Sequence, residues 1–124
     1  LAGADIALFY FAGHGLQVGD RNFLVPRDAD IQQPFDVPLR TLDLAAVLQA
    51  METGAKTSIV LLDACRENPF AGALKFQGRA IARPGLARVE AAAGTLVGFA
   101  TAPGTLAADG TGRNSPFTAA LLRH

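Results

Sequence analysis

Ser58-Ile59-Val60-Leu61-Leu62-Asp63-Ala64-Cys65-Arg66 is the stretch whose reading decides the fold. A β-branched, apolar run ends in an acid, and the only cysteine follows two residues later. A continuous apolar run of this length, without polar alternation, reads as a buried parallel strand. Open α/β sheets bind ligands in the crevice beyond the carboxyl ends of their strands. Asp63 and Cys65 therefore sit where such a fold places its chemistry.

Working outward, Ile6 to Phe11 (Ile-Ala-Leu-Phe-Tyr-Phe) reads as a second buried strand. It is expected to stop at Ala12-Gly13-His14-Gly15, where two glycines permit a tight loop. Gly15 to Pro26 reads as a hairpin-like excursion at the sheet edge, turning at Gly19-Asp20, and Arg27 to Pro38 as loop. Leu42 to Met51 reads as a helix, because Leu44, Val47, Leu48 and Met51 form one apolar stripe. Thr41 is its expected N-cap, Asp43 suits the positive helix start, and Gly54 is its stop. Strand, helix, strand implies a parallel crossover, so the ends carrying His14 and Cys65 should share one edge of the sheet. Phe70 to Ala93 reads as irregular, basic and mobile, with Arg79, Arg83 and Arg88. Thr95 to Thr101 reads as a third strand, and Ser115-Pro116-Phe117 opens a helix with a serine cap and proline at its first position.

The bulk properties narrow the function. With 124 residues, one domain is the natural expectation. Half the residues are hydrophobic and 18% are charged, which marks a globular chain. Eleven basic residues balance eleven acidic ones, so charge provides no case for nucleic acid or an anionic membrane. No apolar run reaches the roughly 18 residues of a membrane span, and no basic leader precedes Leu1. A single cysteine excludes an internal disulfide and fits a reducing, cytoplasmic setting. The chain also lacks an initiator methionine and runs almost at once into a strand, which suggests a segment of a longer protein.

A lone cysteine is most often a small buried hydrophobe, and a lone histidine a satisfied hydrogen-bonder. Here the only interior histidine and the only cysteine both end strands joined by one crossover. A thiolate nucleophile needs a nearby base and an electropositive setting. The backbone amides of Gly15 and Cys65 are the candidate donors to a developing oxyanion. No Gly-x-Ser-x-Gly elbow, no Gly-x-Gly-x-x-Gly opening and no zinc-type ligand spacing compete with this reading.

Tyr10-Phe11-Ala12-Gly13-His14-Gly15 and Asp63-Ala64-Cys65-Arg66 resemble the histidine and cysteine motifs of the caspase-like cysteine peptidases, and most closely those of the bacterial metacaspase-like (orthocaspase) branch. His14 and Cys65 are 51 residues apart, against about 50 in the caspase pattern. Leu24 to Asp30, Phe99 to Gly104 and Asn114 to Thr118 resemble the same branch, so the likeness covers nearly the whole chain. It implies an α/β fold, the caspase-type three-layer α/β/α sandwich with a mostly parallel sheet. Residues 1–124 would be a partial peptidase domain lacking the first two strands, and the Ile6 to Phe11 strand would be an apolar edge open to pairing.

The resemblance also implies peptide hydrolysis by a Cys65/His14 dyad on protein or peptide substrates, with Gly15 and Cys65 amides holding the oxyanion. The branch cleaves after arginine or lysine, and Asp63 matches one of its pocket acids. Ala12 stands where some members have a serine, and Thr101 and Ala102 belong to the matched substrate-binding stretch. No cofactor is required and no metal site is assigned. Calcium dependence, known in parts of the group, is left unassigned, because Asp28, Asp30 and Asp36 lack an EF-hand pattern. Relatives carry a cleavable loop where Phe70 to Ala93 lies, with Arg79 or Arg88 as the expected self-cleavage points. The rival reading is a catalytically silent caspase-like scaffold.

Overall fold

The computed structural model describes residues 2–65, 70, 73–76, 79–100 and 113–124. Strand β1 (Ala4–Val18) turns through Gly19-Asp20 into β2 (Arg21–Val25), with Gly19 at φ +62. Helix α1 (Asp36–Arg40), the two-residue strand β3 (Leu42–Asp43) and helix α2 (Leu44–Gly54) follow. Strand β4 (Ala55–Cys65) comes next, then the short strands β5 (Lys75–Phe76), β6 (Arg79–Ala80) and β7 (Arg83–Pro84). Strand β8 (Thr95–Phe99) and helix α3 (Pro116–Arg123) complete the described elements.

The main sheet runs β3-β2-β1-β4-β8, with β7 added to β1. Its centre is parallel: β1 pairs with β4, and β4 with β8. β2 and β3 extend it antiparallel. This is the mixed α/β, mostly parallel arrangement expected for the fold. Residues alternate between faces along a strand. Ala7, Phe9 and Phe11 on β1 and Val60 and Leu62 on β4 therefore meet Leu44, Leu48 and Met51 of α2 in one core. On the opposite face, Tyr10 and Asp63 meet α3. Helices thus flank the sheet on both sides, but α3 leaves Ile6 and Leu8 about two thirds exposed.

Several sequence expectations need correction. β1 does not stop at Ala12 but runs unbroken through Gly13, His14 and Gly15. Neither glycine there takes a positive φ. What they supply is space: a Cβ on Gly13 would meet the Phe11 ring, and one on Gly15 would meet Leu86. The 27–38 loop gives way to α1, whose first residue Asp36 is buried and accepts the Gln32 and Gln33 N–H groups at 3.0 Å. Residues 70–93 are not featureless either, since Leu74, Ala82 and Leu86 are buried and three short strands form.

The cap of α2 is Asp43, not Thr41: its carboxylate accepts the Ala45 N–H at 3.0 Å. The Thr41 hydroxyl is used on α1, donating to the Val37 carbonyl. Burial pushes the Asp43 carboxyl up, but the Arg21 guanidinium and the Ala45 N–H outweigh it and hold the group below its ordinary value. A carboxylate with a lowered folded-state pKa stabilises the fold above its unfolded value and loses that contribution as pH falls. Asp43→Ala is expected to cost about 1 kcal/mol at neutral pH by denaturant unfolding. The gap from wild type should shrink below about pH 4, closing only beneath the lowered folded value.

On one edge, β1 pairs with β4 from Ala4 to His14 and with β7 at Leu16 and Gln17. On the other it pairs with β2 from His14 to Val18. Residues 4–13 have no strand partner on that second edge among the described residues.

Candidate active site

His14 and Cys65 form the last pair of the β1–β4 ladder. The parallel register runs without slip from Ile6–Thr57 to His14–Cys65, so two residues distant in sequence become direct neighbours. Adjacent strands lie about 4.8 Å apart, which brings the two backbones within side-chain reach of each other. His14 is half-buried, and its Nδ1 is buried with no hydrogen-bond partner. Ala12, opposite Asp63, is exposed two pairs earlier on the same face of β1 as His14.

Gly15 is held from the other face. Its carbonyl accepts the Gly85 N–H at 3.1 Å, beside the Leu16–Pro84 and Gln17–Arg83 pairs. Leu86 is buried against the α2 core and fills the space where a Gly15 side chain would stand. Asn22, itself buried, grips Ala87 with both ends of its amide: Nδ2 donates to the Ala87 carbonyl at 3.0 Å and Oδ1 accepts the Ala87 N–H at 2.7 Å. The 83–88 segment is thus strapped beside the part of β1 that carries His14. Of the two arginines expected to be cleavable, Arg79 lies in exposed β6 and Arg88 follows the gripped Ala87; Arg83 pairs with Gln17.

Asp63 is buried, 3% exposed. Its Oδ2 accepts hydrogen bonds from the Ser115 hydroxyl and, at 2.6 Å, from the Thr118 hydroxyl, while Oδ1 is buried without a partner. Sequence reading found Ser115 as a helix cap and Tyr10 and Thr118 only within matched motifs. It missed that Ser115 and Thr118 bond this carboxylate and that Tyr10 bonds Thr118. The signal was present in the Ser-x-x-Thr spacing at the start of α3, but a capping role explains that spacing equally well.

Thr101 and Ala102 lie outside the described residues. Among the described residues, no three His, Cys, Asp or Glu side chains are grouped to hold a metal ion. Asp36 and Asp30 instead accept hydrogen bonds from Gln32 within their own loop. Among those residues, no helix is long and apolar enough to cross a membrane.

The family model described as the caspase domain matches residues 2–124. The chain belongs to the caspase-domain family. Comparison with curated proteins finds no match, and comparison with solved structures finds none either. The caspase domain is a cysteine-peptidase domain, and its substrates are proteins or peptides. In this caspase domain, the histidine and cysteine expected from the motifs occupy one rung of the central sheet.

Proposed function

We propose that this caspase domain is an endopeptidase that cleaves after arginine or lysine, with Cys65 as nucleophile and His14 as its base. The observation that carries the reading is the His14–Cys65 pairing at the end of β1 and β4. The Cys65 thiolate adds to the scissile carbonyl carbon, and the carbonyl π electrons move to oxygen. Collapse of that intermediate expels the amine, which takes its proton from the His14 imidazolium. Water, deprotonated by His14, then adds to the thioester carbonyl; the C–S bond breaks, the acid is released, and the Cys65 thiolate and His14 imidazolium are restored.

The Gly15 and Cys65 amides are the donors assigned to the oxyanion. The Gly15 carbonyl faces Gly85 on the β4 side of β1, so the Gly15 N–H faces that side too. In this register the parallel ladder directs Gly15 N–H to the Cys65 carbonyl and Cys65 N–H to the Gly13 carbonyl. Receiving an oxyanion therefore requires this last rung to open. Among the described residues it is the last rung of this ladder, and a terminal rung is less costly to release than an interior one.

Asp63 supports the basic preference. At about 3.3 Å per residue, its backbone lies some two residues before Cys65 on β4, and its Oδ1 is an acceptor in want of a donor. A buried carboxylate oxygen without a partner is costly, and a substrate cation removes that cost. The test is labelling of the intact protein with an arginyl chloromethylketone, read by mass spectrometry. One adduct on Cys65, absent in Cys65→Ala, is expected. A folded protein that takes up no label would favour the silent scaffold instead.

A further inference from the structure

Asp63 does not present a symmetric carboxylate. Ser115 Oγ accepts the Thr118 N–H at 3.1 Å, which leaves its own proton for Asp63 Oδ2. The Thr118 hydroxyl lies 2.6 Å from the same oxygen and 2.5 Å from the Tyr10 hydroxyl. An ionised carboxylate only accepts, and a threonine has one hydroxyl proton. The protons are therefore ordered: Tyr10 donates to Thr118, Thr118 donates to Asp63, and Ser115 donates to the same oxygen. Two hydroxyls occupy Oδ2, and Oδ1 alone is buried with no partner.

We infer that Thr118 and Ser115 are specificity-determining positioning residues, which close one oxygen of Asp63 and so limit the pocket to single-point recognition of the substrate cation. The inference rests on the reading of Asp63 as the pocket acid. Arginine's advantage over lysine at a carboxylate is its fork, two parallel N–H···O bonds to two oxygens. With Oδ2 occupied, the fork has one oxygen to use, and the compact lysine ammonium is served as well. The first turn of α3 thereby sets how the pocket ranks two cations of equal charge, through hydroxyls that touch the acid and not the substrate.

The test compares kcat/KM on two peptides that differ only in arginine or lysine at the cleaved bond. Wild type is expected to treat them alike within about threefold. Thr118→Val keeps the side-chain shape, removes one hydroxyl from Oδ2, and should raise the arginine-to-lysine ratio by about fivefold or more. Thr118→Ser should restore the wild-type ratio. Tyr10→Phe, which leaves the bond on Asp63 intact, should not move it. If Thr118→Val does not fold, Ser115→Gly opens the other position on Oδ2 at small cost to the cap and must produce the same shift. An unchanged ratio, or an equal loss on both peptides, overturns the inference. Cleavage by wild type that ignores charge at the cleaved residue overturns the pocket reading beneath it, and Asp63→Ala separates the two: it should abolish basic preference even where the Thr118 variants leave the ratio unmoved.

Discussion

His14→Ala is expected to lower kcat/KM on a basic peptide by about 10³-fold, within the range of a lost general base. Cys65→Ala should remove turnover entirely, since no other thiol exists in the chain. The double variant should be no worse than Cys65→Ala, because the two residues act on one bond and their losses do not add. Stability should move little. His14 is half-buried and its Nδ1 bonds to nothing in the fold, so the alanine forfeits no buried hydrogen bond at that atom. The measurement is initial-rate kinetics beside thermal unfolding. Activity within tenfold of wild type in a well-folded His14→Ala would remove the imidazole from the mechanism. A large fall in unfolding temperature would assign His14 to the fold.

Gly15→Ala is expected to destabilise the domain by about 1–3 kcal/mol, the usual cost of overpacking a filled core. The new methyl would stand 2.7 Å from Leu86 Cδ2, 2.9 Å from Leu86 Cγ and 3.2 Å from Ala64 Cβ. A lone methyl tip could swing aside, but the branch carbon of Leu86 is also too close. Leu86 cannot retreat easily, because Gly85 is bonded to Gly15 and Ala87 is gripped by Asn22. Movement would instead push β1 away from β4 at the His14–Cys65 rung, so activity should fall with stability. A double-mutant cycle with Leu86→Ala checks the cause. Removing the obstructing side chain should recover part of the Gly15→Ala loss, even though Leu86→Ala alone leaves a cavity. Strictly additive losses would mean that Leu86 is not what limits this position.

Much of the architecture was legible in local pattern. The Ser58 to Leu62 run, the stripe on α2 and the Ser115-Pro116 start of α3 each stated their element, because period and capping chemistry are local. Boundaries were less legible. Gly13 and Gly15 read as a loop, since glycine permits turns, yet here they serve close packing inside a continuous strand. Thr41 and Asp43 both suit an N-cap, and only the position of α1 decides which hydroxyl or carboxylate is free to reach α2. The short strands between Lys75 and Pro84 follow from pairing with distant residues such as Gln17, which no window of local sequence contains.

By itself, the sequence determined the elements that carry the chemistry: one interior histidine and one cysteine, each just beyond a buried strand of an α/β fold. Period, glycine placement and residue uniqueness are properties of the chain alone. Only the tertiary structure decided that those strands pair in a register that sets His14 opposite Cys65. It also decided that hydroxyls from the start of α3 occupy one oxygen of Asp63 and leave the other without a partner. Register and hydrogen-bond partnership across 52 and 55 residues depend on how whole faces pack, and no local pattern encodes them.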